Sequence, residues 1–164
     1  MLRARILVSK GATEEGVKTV TAFIELLGYK KVVIKADNEP AIISLRQEAI
    51  RKFPHEVVKE MPPKYDSQSN GWIENIVLRI EGMFRTINDG VESKIGRGLS
   101  NGRRIIPWLV KHAADLINRY VVQSDGKTAH QKWKGVSFKN VVPEFGERVQ
   151  YLEAGFNMKA VANG

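Results

Sequence analysis

The chain predicts an α/β fold, a small parallel or mixed sheet with flanking helices. Three observations carry this. In the first third of the chain, short β-branched runs alternate with stretches of helical apolar spacing, in the order strand, helix, strand, helix, strand. Proline and glycine punctuate that alternation where helices would begin and end. The 164 residues are 43% hydrophobic and 27% charged, the balance of a chain able to bury one core.

Residues 3–9 (Arg-Ala-Arg-Ile-Leu-Val-Ser) read as a first strand ending at Gly11. Thr13 with Glu14 and Glu15 has the form of a capped helix start. Val17, Val20, Phe23, Ile24 and Leu27 follow helical spacing up to a stop at Gly28. Val32-Val33-Ile34, within 31–36, is short and β-branched enough for a buried strand. Pro40 opens a helix with Ile42, Ile43, Leu45, Ala49 and Ile50 on its apolar face, and 56–60 is a third strand. Residues 61–71 read as a loop. A long helix follows from Trp72, packed through Ile73, Val77, Ile80 and Phe84. Gly90 to Arg104 reads as an irregular basic connection, and Pro107 opens a helix carrying Trp108, Leu109, Val110, Ala113, Leu116 and Ile117. Residues 123–140 are polar with turn signals, 147–152 form a last strand, and 153–164 a frayed tail. One unit spans 1–152.

No apolar run spans a bilayer, and Ile6-Leu7-Val8 is too brief for a signal-peptide core, so the expectation is a soluble, intracellular chain without a membrane partner. The absence of cysteine excludes disulfides, thiol nucleophiles and cysteine zinc sites. His55, His112 and His130 lack ligand spacing. Lys and Arg number 26 against 18 acids, a net charge of +8, which favours a polyanionic partner.

Two acids stand out. Asp37 follows a strand, at the carboxyl end where open α/β sheets bind ligands; capping the helix at Pro40 is its structural alternative. Glu74 lies in the first turn of the long helix, where the helix dipole alone would favour a carboxylate. The two are separated by 36 residues.

At these residues the chain resembles the catalytic core of retroviral and retrotransposon integrases. Gln68-Ser69-Asn70-Gly71-Trp72-Ile73-Glu74 looks like the family's Gln-Ser-Asn-Gly-x-x-Glu signature, and Asp37-Asn38 looks like the start of its Asp-Asn-Gly signature. Pro107 to Val110, Gly126 to Thr128 and Trp133 to Gly135 resemble retroelement segments beyond the core. The resemblance implies a ribonuclease H-like fold and DNA integration by metal-dependent strand transfer. Asp37 and Glu74 would be catalytic carboxylates binding Mg²⁺ or Mn²⁺, with Asn70, Arg79, Arg85, Arg103 and Arg104 on nucleic acid. Two ions about 3.5–4 Å apart would activate the attacking hydroxyl and stabilise the leaving oxygen.

The match has departures. Glu39 stands where the family carries glycine, and Leu78 and Glu81 stand where it often carries basic residues. The family's first aspartate has no counterpart, since no acid precedes Glu14. The resemblance thus implies a core lacking its first strands, partnered by DNA and completed by a second copy or an upstream segment. In a eukaryotic retroelement its place would be the nucleus. Two other readings compete: a working nuclease whose missing acid comes from another chain, and a basic interaction module without DNA chemistry.

Overall fold

The computed structural model describes residues 1–53, 56–60, 71–99 and 104–150. Asp66, Asn70 and Arg103 lie outside these, as do His55 and everything from residue 151. The chain is mixed α/β, mostly helical, with a small parallel sheet.

Helix α1 (Glu14–Leu27) starts where Thr13 Oγ1 accepts the Gly16 amide at 3.1 Å, and it ends at Gly28 in the left-handed region, φ 72°. Strand β1 (Lys31–Lys35) leads to helix α2 (Pro40–Lys52), whose first turn takes the proline. The residue before Pro40 is Glu39 in extended backbone. Glu39, and not Asp37, is therefore the N-cap, and its side chain bonds no helix amide. Strand β2 (Glu56–Glu60) returns parallel to β1, in register from Lys31 opposite Glu56 to Lys35 opposite Glu60. Lys31 Nζ reaches Glu56 at 2.7 Å. Helix α1 packs on α2 over buried Val17, Ile24, Ala49 and Phe53.

The expected strand at 3–9 is not a strand. Among the described residues the sheet has two strands, and neither pairs with this segment. Residues 2–10 instead run as a strap tied by side chains. The Asn118 amide takes both backbone groups of Leu2, accepting its N–H at 2.7 Å and donating to its C=O at 2.7 Å. Arg5 pairs with Glu15, and Lys10 Nζ with Glu39 at 3.1 Å. A strand needs a neighbouring ladder, and this segment is instead tied at Leu2, Arg5 and Lys10. With one neighbour, β1 is half-buried, contrary to the buried strand expected; Val33 is 58% exposed.

Helix α3 (Gly71–Ile95) runs through Gly90, past the expected end of the long helix. Its continuation is fixed by burial: Val91 joins Ile106 and Leu109 in a cluster flanked by Phe84, Ile87, Leu99, Ile105 and Phe145. The opening of α3 is not packed as expected, because Trp72, Ile73, Val77 and Leu78 are exposed. Helix α4 (Ile106–Tyr120) lies against α3 and buries Leu109, Ala113 and Ala114. The polar stretch after it contains a further helix, α5 (Ala129–Lys134). Thr128 and Gln131 close a reciprocal capping box on α5, and Gly135 ends it in the left-handed region. Residues 147–150 form no strand.

Candidate functional site

Asp37 lies two residues past β1, exposed, and its Oδ1 accepts the Asn38 amide at 2.7 Å. Glu74 is exposed in the first turn of α3. The two acids sit on different segments, Asp37 in the link from β1 to α2 and Glu74 on α3. A hard divalent ion wants several converging oxygens. Among the described residues, no three or more His, Asp or Glu side chains come close enough to hold a metal ion. A centre with three protein ligands is therefore not assembled among the described residues.

The basic residues after Glu74 divide into committed and uncommitted groups. Arg79 Nε donates to Asn75 Oδ1 at 2.8 Å, one turn back on α3. Arg85 bonds the Glu81 carbonyl at 3.3 Å and stands 3.9 Å from its carboxylate. Lys94 pairs with Glu144, whose carboxyl that ammonium holds below the usual range. Arg104 is exposed just before α4. Arg79 also lines a cleft of about 380 Å³ with Trp72, Asn75 and Asn118, between the start of α3 and the end of α4.

Sequence reasoning missed a second concentration of charge. A cleft of about 840 Å³ opens between the strap, α1 and α4. Arg3, Arg5, Lys18 and Lys111 line it together with Trp108, facing the acids Glu14 and Glu15. The signal was faint: Arg3 and Arg5 alternate along an extended segment, and Trp108 follows a helix-opening proline. Their convergence depends on tertiary placement of the strap.

His112 on α4 sits against the Phe145 ring, centroids 5.3 Å apart. Burial pushes its imidazole below its ordinary value, and Arg119 adds to this against the opposing pull of Asp115. The Leu99 amide, 2.6 Å from Glu92 Oε1, holds the Glu92 carboxyl low, with help from Asn88. That bond secures the chain leaving α3.

No protein-family model matches this chain, and no curated protein matches it either.

Proposed function

We propose that the chain is a nucleic-acid-binding core of the retroelement integrase type, with the ribonuclease H-like arrangement present only in part. The observation that carries this reading is the placement of the Gln-Ser-Asn-Gly-x-x-Glu match. Its glutamate falls in the first turn of a 25-residue helix, while the Asp-Asn pair follows the first strand of a parallel β–α–β unit. The net charge of +8 and the exposed Arg79, Arg85 and Arg104 support a DNA partner. Asp37 and Glu74 are the catalytic and metal-binding carboxylates of the intact chemistry in this reading. With no third acid beside them among the described residues, binding rather than strand transfer is the function proposed.

The test is a DNA-binding isotherm at several salt concentrations. Phosphate neutralisation releases counterions, so log K should fall linearly with log salt, with a slope of about −0.9 for each duplex phosphate contacted. Backbone contacts position without specifying, so affinity should change little between unrelated sequences. Absence of binding at low salt would refute the reading. Salt-insensitive binding would favour a basic module whose partner is a protein.

A further inference from the structure

The cleft between the strap, α1 and α4 combines two features that single-stranded nucleic acids use. The first is uncompensated positive charge. Of its four cations, Lys18 is held by Glu14 at 2.6 Å and Arg5 by Glu15. Arg3 and Lys111 have no carboxylate partner among the described residues, so the cleft carries two net positive charges, one from the strap and one from α4. The second is an exposed indole. Trp108 is 65% exposed at the start of α4, and Lys111 Nζ lies 5.7 Å from its ring centroid. The helix does not need this indole: Ile106, Leu109 and Ala113 do the packing. A large apolar ring left in water beside cations is a stacking platform wherever a planar partner can reach it.

We propose that this cleft seats a single-stranded nucleic acid, one base stacked on Trp108 and the neighbouring phosphates held by Arg3 and Lys111. The proposal rests on the nucleic-acid reading above and narrows it to one strand form and one place. A duplex keeps its bases stacked on each other, so it can use the cations but not the indole. Polyglutamate, with no planar group to stack, would likewise use only the charge. Glu14 and Glu15, kept in ion pairs, line the cleft without repelling the backbone at full strength.

The experiment is fluorescence anisotropy of the full chain with short labelled oligo(dT), the same-length duplex, and polyglutamate as competitor. The wild type should prefer the single strand. Trp108→Ala should lower single-strand affinity by about 5- to 150-fold while leaving duplex binding essentially unchanged. Trp108→Phe should retain most of the affinity. Trp133→Ala, a tryptophan beside Lys134 outside the cleft, should behave as wild type. Arg3→Ser with Lys111→Ser should reduce the salt slope by about 0.7 per lost phosphate contact, about 1.4 in all. Should Trp108→Ala fail to fold by circular dichroism, Trp108→Phe and the double serine variant decide, and an unaltered salt slope overturns the site. Wild-type binding that is indifferent to Trp108→Ala, or displaced equally well by polyglutamate, overturns this inference and leaves the broader reading standing. A wild-type chain that binds neither strand form at low salt overturns both.

Discussion

Two helical glycines show how far one methyl group can be read. A Cβ at Gly16 would stand 3.0 Å from Thr13 Oγ1, 3.2 Å from Leu7 Cδ1 and 3.3 Å from Leu45 Cδ1. The Thr13 oxygen cannot retreat without releasing the Gly16 amide it caps. Overpacking of about 1–3 kcal/mol therefore outweighs the gain in helix propensity of about 1 kcal/mol, and Gly16→Ala should destabilise. Gly82 lies inside α3 with nothing within 4 Å of the same position, so Gly82→Ala should stabilise by about 0.5–1 kcal/mol. Urea denaturation of both variants checks the opposite signs. His112 offers a pH test. Its folded-state pKa lies below the ordinary 6.5, so folding favours the neutral ring. The stability this provides is present above pH 6.5 and is lost as pH falls from there through the lower folded value. Between pH 7.5 and 5.5 the wild type should lose more thermal stability than His112→Gln. Equal losses would show that His112 does not contribute.

At the level of elements, the legible features were those whose causes are local. The Thr13 cap, the Gly28 stop and the Pro40 start each depend on residues within one turn, and all stand where expected. The strand at 3–9 depended on a neighbour the pattern could not supply. Helix α5 has six residues, too few for periodicity, although its Thr128-x-x-Gln131 box was readable. Helix α3 outran its expected end because Val91 is buried, a tertiary effect that overrides the propensity of Gly90. The strap is the element most open to a single change. Asn118→Leu removes both bonds to Leu2 and leaves two partly buried backbone groups without them, a cost of about 1–3 kcal/mol. Tryptic cleavage after Arg3 and Arg5 should accelerate in this variant while helical circular dichroism is kept. An unchanged cleavage rate would mean that the strap is held elsewhere.

Over the whole molecule, the residue types of the candidate site were readable but their juxtaposition was not. Asp37 and Glu74 are where strand end and helix start put them, on different segments of the chain. Trp108 was read as part of an apolar helix face, but that face turns Leu109 inward and Trp108 outward. Two exposed carboxylates on separate elements should hold Mg²⁺ no better than ordinary surface acids. Millimolar Mg²⁺ should leave Tm unchanged, since only a ligand preferring the folded state raises it. Nicking and strand-transfer assays with Mg²⁺ or Mn²⁺ should give no product above the protein-free control. Activity abolished by Asp37→Asn or Glu74→Gln would show that the two acids do come together.

The tie between Leu2 and Asn118 also sets a clock. It joins residues 116 positions apart. At about 5–20 residues per second of synthesis, the strap emerges roughly 6–23 s before its partner exists. Helices α1 and α2 can pair within that interval from local contacts. The strap must wait unlatched, with Ile6, Leu7 and Val8 open to whatever chain passes, and it can close only once α4 has been made.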